Sequence, residues 1–183
     1  MDSRIIIING SGGSGKSTFV RLCKEVLEDF PNWDVLELST VDWVKAVAQF
    51  AGWNGRKEEK DREFLYDLKM ALQKWNNSPN QKVFDQINTV IDNKILDKKN
   101  WLFFVNIREP ENIKTFIEQN KKATGLPCAT ILVVNANVRP IISNPADRDV
   151  GQFHYDTVIS NSSDLDNLKQ WAHDYLEFVQ KII

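Results

Sequence analysis

The 183-residue sequence holds only two cysteines and two histidines. Cys23 lies on an apolar helical face and Cys128 at the start of an apolar run, so both are expected as buried free thiols, not a disulfide framework. His154 and His173 stand far apart and make no metal-binding pair, which argues against zinc. No apolar run approaches the roughly 20 residues of a membrane-spanning helix. Arg4 and four isoleucines run directly into a glycine-rich stretch, which is not a signal-peptide layout. The net charge of -2 leaves no electrostatic footprint for nucleic acid or an anionic membrane, so any basic site must be local. Internal repeats and low-complexity tracts are absent. With 42% apolar residues, the chain is long enough for one globular domain with a sizeable core, and a cytoplasmic protein fits this composition.

What is present is an alternation of short apolar runs and longer helical patterns. Ile5–Ile8, Val35–Leu38, 101–107, 129–134 and 156–160 have the length and composition of strands. Helical spacing recurs from Phe19, from Trp43 to a stop at Gly52, from Phe64 to Trp75, from Val83 to Ile95, from Pro110, and from Leu168 to Val179. Ser78-Pro79-Asn80-Gln81 has the form of a capping box, and Ser163 that of a helix cap. The charged run 56–63 is expected as a solvated helix start. Trp43, Trp75, Trp101 and Trp171 occupy core-type positions, whereas Trp53 sits in a turn where it could stack on a base. Five strands separated by helices imply a parallel sheet covered on both faces. Two segments exceed an ordinary crossover: the three helical patterns after the second strand, and the arginine-bearing segment after the fourth. Both are expected at the carboxyl end of the sheet, where open α/β folds bind ligands.

The glycines concentrate in 9-NGSGGSGKST-18, directly after the first strand. Gly10, Ser11, Gly12, Gly13, Ser14, Gly15, Lys16 and Ser17 match G-x-x-x-x-G-K-[ST] in full. Glycine lets a backbone wrap an anion with its N–H groups turned inward, and the helix that follows adds its positive end. In this pattern Lys16 reaches the β- and γ-phosphates of ATP, Ser17 binds Mg²⁺, and Thr18 touches the α-phosphate. The expected fold is therefore a three-layer α/β/α P-loop NTPase fold with a five-stranded parallel sheet, a helical acceptor-binding insertion at 39–98 and a short lid at 135–153.

The fourth strand ends in 133-VVNANVRP-140, with no N-K-x-D signature for guanine, and the third ends in Asn106-Ile107-Arg108, with no acidic pair of the motor or AAA type. Small-molecule kinases remain, and these require positioning and positive charge on the transferring phosphoryl group. The arginines number seven. Arg108 follows a central strand, and Arg139 and Arg148 lie in the long segment before the last one.

The loop together with 105-VNIREPENIKTF-116 and 144-NPADRDVGQFHYDTVISNSSDLDNL-168 resembles the bacteriophage deoxynucleoside monophosphate kinases and, more distantly, the animal-type phosphomevalonate kinases. The resemblance implies that Arg108 contacts the acceptor phosphate and that a lid precedes the last strand. Arg148 is the lid candidate to close over the transferring group, Arg139 a candidate for the donor nucleotide, and Asn161 with Ser162 for the donor adenine. It places Asp42, Lys45 and Arg62 in the acceptor region. Where that family has an aspartate at the end of the third strand, this chain has Asn106, and Asp42 is the carboxylate considered as its substitute. The implied activity is ATP- and Mg²⁺-dependent phosphorylation of a (deoxy)nucleoside monophosphate. The alternatives are another phosphorylated metabolite, a polynucleotide end, or a non-catalytic ATP-binding protein. The apolar helices of the insertion could also cover a homodimer face.

Overall fold

The computed structural model describes residues 2–56, 58–97, 99–138, 149–161 and 164–181. Five strands, β1 (Arg4–Asn9), β2 (Trp33–Ser39), β3 (Asn100–Asn106), β4 (Cys128–Val134) and β5 (Thr157–Ser160), form one sheet in the order β2-β3-β1-β4-β5. Every neighbouring pair is parallel. The four isoleucines of β1 explain its central place, because each is completely buried and only a strand covered on both faces can use all four.

Alternation along β1 divides the core. Ile6 and Ile8 face α1 (Lys16–Leu27) and the last helix, α6 (Leu165–Lys181), with Phe19, Leu22, Leu168 and Tyr175 among their neighbours. Ile5 and Ile7 face the other way, toward α4 (Ser78–Asp97) and α5 (Pro110–Ala123), which contribute Phe84, Ile87, Ile113 and Phe116. Phe84 and Phe116 stack with centroids 4.5 Å apart. The three-layer arrangement expected from the sequence is thus observed. Cys23 and Cys128 are free thiols, the first buried and the second partly so. Burial, with the Asp156 charge adding to it, pushes Cys128 up to about 12, and burial raises Cys23 further.

The segment between β2 and β3 contains α2 (Thr40–Phe50), α3 (Glu59–Asn76) and α4. Two expectations fail here. Ser78 does not cap α4, because it is already helical and its buried hydroxyl makes no hydrogen bond. Asn77 makes the whole turn: it closes α3 in a left-handed conformation (φ 55°), and its carbonyl accepts the Gln81 N–H at 3.1 Å. Nor are all the tryptophans core residues. Trp75 is 79% exposed and Trp43 37%, the latter with the Lys82 ammonium 5.2 Å from its ring centroid. Helical spacing tells which residues share a face, not whether anything covers it. Trp101 and Trp171 do pack, half-buried, against the two cores. In the 56–63 run, Asp61 is buried, accepting the Trp53 indole N–H at 3.2 Å and the Glu58 backbone N–H at 3.1 Å. Ser163 lies outside the described residues, and the Asp164 carboxylate accepts the Asn167 N–H at the start of α6 (2.9 Å).

Phe84 fixes the insertion to the sheet. Phe84→Ala is expected to lower stability by about 3–5 kcal/mol, as for other fully buried phenylalanines, read as a shift of the urea midpoint. A shift below about 1 kcal/mol, the range of tolerated core swaps, would show that α4 does not depend on this contact.

Candidate functional site

The sheet order reverses at β1, whose carboxyl end opens the crevice where open parallel sheets place ligands. The loop from Gly10 to Gly15 occupies that position. Gly10 runs with φ 146°, and a Cβ there would stand 2.3 Å from the Val133 carbonyl oxygen. Gly15, the residue before α1, has φ 100°, and its Cβ would stand 2.2 Å from Asn161 Nδ2. These positions admit glycine for two reasons at once, backbone conformation and close approach. Ser11 accepts the Ser14 N–H at 3.1 Å, which tightens the loop between them. The Lys16 ammonium lies over the loop, donating to the Gly10 and Ser11 carbonyls at 2.5 and 3.0 Å. It is therefore held where an anion in the loop would meet it. Thr18, two residues further along α1, is half-buried.

The sequence reading missed the residue that joins this loop to Arg108. Asn9, the last residue of β1, is completely buried. Its carbonyl oxygen accepts the Gly10 N–H at 2.8 Å. Its amide donates to the Arg108 carbonyl at 2.9 Å and to the Tyr155 hydroxyl at 2.7 Å. Tyr155 in turn donates to the Val150 carbonyl (2.8 Å), and burial pushes its hydroxyl up to about 12 despite the Asn9 hydrogen bond. The available signal was a polar residue completing an all-isoleucine strand.

Arg108 is half-buried in the turn between β3 and α5. Of the neighbouring acids, Glu111 pairs with Lys114 at 2.7 Å and Glu109 with Lys69 of α3 at 2.6 Å. Lys69 is 6% exposed, a buried cation within the apolar stripe of Leu65, Leu68 and Leu72. Burial lowers its pKa, opposed by the Glu109 charge and hydrogen bond and reinforced by Arg108. For Glu109, burial acts upward, but Lys69, a backbone hydrogen bond and Arg108 together hold the carboxyl below its ordinary value. Lys69 thus fastens the helical insertion to the turn that presents Arg108.

Other candidates are placed as follows. Asp42 and Lys45 pair with each other at 3.1 Å on α2, the side chains 60% and 43% exposed. Arg62 is exposed in the first turn of α3. The Asn161 amide donates to the Ser14 carbonyl at 2.8 Å, closing the loop from the end of β5. Arg139 and Arg148 lie outside the described residues. Ser17 Oγ donates to Glu37 Oε1 at 3.0 Å, and the Asn106 amide donates to the same oxygen at 2.8 Å. Mg²⁺ takes oxygen donors at about 2.0–2.1 Å in an octahedron, which puts adjacent ligands about 3 Å apart. Ser17 and Glu37 present two such oxygens at that separation, so the donor set fits the ion.

No known sequence family matches the chain, and no curated protein matches it by sequence. Solved structures match by fold. The tunicamycin resistance protein of Deinococcus radiodurans is 14% identical, with a TM-score of 0.55 over 96% of each chain. Thymidylate kinase of Ehrlichia chaffeensis is 14% identical, with a TM-score of 0.51 over 96% of this chain and all of the other. The APS kinase of Mycobacterium tuberculosis, in complex with AMPPNP and APS, is 14% identical, with a TM-score of 0.50 over 96% and 98%. The chain therefore shares the P-loop kinase fold.

Glu109→Gln is expected to cost about 3–5 kcal/mol at neutral pH, because it leaves the Lys69 charge buried without its partner. The depressed carboxyl contributes stability that is full above its unfolded value of about 4.3 and is lost as pH falls through the lower folded value. Urea midpoints of wild type and variant should accordingly draw together as pH falls below the unfolded value and coincide once it has passed the lower folded one. Midpoints that already coincide at neutral pH would show the pair to be stability-neutral.

Proposed function

We propose that this chain transfers the γ-phosphoryl group of ATP, in the presence of Mg²⁺, to a small phosphorylated acceptor, and that the acceptor is a (deoxy)nucleoside monophosphate. The observation that carries the reading is the Asn9 bridge. One buried side chain ties the start of the phosphate loop to the Arg108 turn, so donor and acceptor groups share one rigid mount. Phosphoryl transfer demands little else than such positioning and a field of positive charge. The kinase names of two of the solved neighbours support the general reading.

In this scheme the loop N–H groups and Lys16 hold the β- and γ-phosphates, and Thr18 the α-phosphate. Ser17 would hold Mg²⁺, which would supply neutralisation of the phosphate charge. Arg108 clamps the acceptor phosphate, whose oxygen attacks the γ-phosphorus as the bond to the ADP leaving oxygen breaks. That oxygen is already anionic, so no general base is needed. Region 39–98 forms the acceptor side, with Asp42, Lys45 and Arg62 as its polar candidates. Region 135–153 forms the lid carrying Arg139 and Arg148, and Asn161 stands beside the donor nucleotide.

A coupled ADP-release assay with ATP and Mg²⁺ against ribo- and deoxynucleoside monophosphates tests this. Acceptor-dependent turnover is expected, falling by at least about a hundredfold in Lys16→Ala, the scale of removing one transition-state charge contact. ATP binding with no acceptor-stimulated turnover across the panel would overturn the nucleotide-kinase reading in favour of another phosphorylated acceptor or a non-catalytic nucleotide switch.

A further inference from the structure

We propose that Glu37, on β2, supplies the carboxylate of the metal site, and that Asn106, at the end of β3, is the residue that holds it there. This rests on the reading that the loop binds a magnesium nucleotide, and is independent of the acceptor.

Ser17 offers a neutral hydroxyl. A bound Mg²⁺ ordinarily also draws on one or two carboxylates, besides phosphate oxygens and water. Asp42, the acid considered from sequence for this role, instead pairs with Lys45 on the exposed side of α2. Glu37 is an exposed side chain, yet both Ser17 and Asn106 donate to a single one of its oxygens, at 3.0 and 2.8 Å. The Asn106 amide also approaches the Leu38 carbonyl at 3.4 Å. Holding an exposed glutamate in one rotamer costs side-chain entropy, and two converging donors from α1 and β3 offset it. The strand register explains the reach. Glu37 lies beside Phe104 and Ser39 beside Asn106, so Glu37 stands one alternation back from Asn106 on the adjacent strand. The acid has moved one strand outward.

Asn106 is then not a lost acid but the matching donor. An aspartate there would set two carboxylates side by side and remove the hydrogen bond, which disfavours the charged form of both.

The test is binding of a fluorescent N-methylanthraniloyl-ADP, in EDTA and along a Mg²⁺ titration. Glu37→Gln should leave affinity in EDTA unchanged or slightly tighter, since a charge facing the phosphates is gone. It should raise the Mg²⁺ concentration for half-maximal effect by at least about tenfold, the lower range for metal-site partners. The double variant Glu37→Gln/Asn106→Asp keeps one acid and one amide in the pair, and should recover most of that Mg²⁺ dependence; a merely structural Glu37 would not be rescued. A Glu37→Gln variant with the wild-type Mg²⁺ titration overturns the proposal while leaving the nucleotide reading intact. Wild-type protein that binds no probe with or without Mg²⁺ overturns the nucleotide reading itself, and this proposal with it.

Discussion

The structure depends most on the buried amide of Asn9. Its three hydrogen bonds converge from chain segments up to 146 positions apart. A buried amide without partners would cost several kcal/mol, and its satisfaction is possible only when the Gly10 turn, the Arg108 turn and Tyr155 are all in place. The apolar core fixes which faces meet, but it is indifferent to small slips along them. A polar network is not, because each bond fails beyond a few tenths of an ångström. Asn9 therefore sets the relative positions of loop and arginine more sharply than packing on either side of the sheet can.

The Lys69–Glu109 pair plays a parallel part for the insertion. α3 buries little apolar surface, and Phe64, Met70 and Trp75 remain substantially exposed. What docks it is a charged contact at the Arg108 turn, reinforced by the phenylalanine stack beneath α4. A buried ion pair is weak support for stability, since burial offsets much of its attraction. It is better support for register, because a slip of α3 would leave the buried Lys69 charge away from Glu109.

The sheet, its covering helices and the glycine loop after β1 were legible from sequence for one reason: each rests on local pattern. Four isoleucines before a glycine loop, or apolar residues at helical spacing, carry their meaning within ten residues. Glu37, Asn9 and Lys69 were not legible, because their distant partners lie 20 to 146 positions away and follow from strand register and helix docking. Each left a faint trace as a polar residue inside an apolar pattern. Asn106 was visible as a departure, but its meaning depended on a glutamate across the register. Ser78 misled because a one-residue turn between two helices gives Asn77 the work that a capping serine usually does.

The Asn161 bond to the Ser14 carbonyl spans 147 positions, and a Cβ at Gly15 would displace the amide that makes it. The loop after the first strand is thus completed by the residue that follows the last. On the ribosome, where domains emerge amino-terminus first, the loop is synthesised early yet lacks its closing contact until β5 has cleared the exit tunnel. Most of the chain must therefore exist before the loop reaches its final shape. Completion of the loop becomes a late event in the life of the polypeptide, coupled to docking of an edge strand and not to the appearance of the glycines themselves.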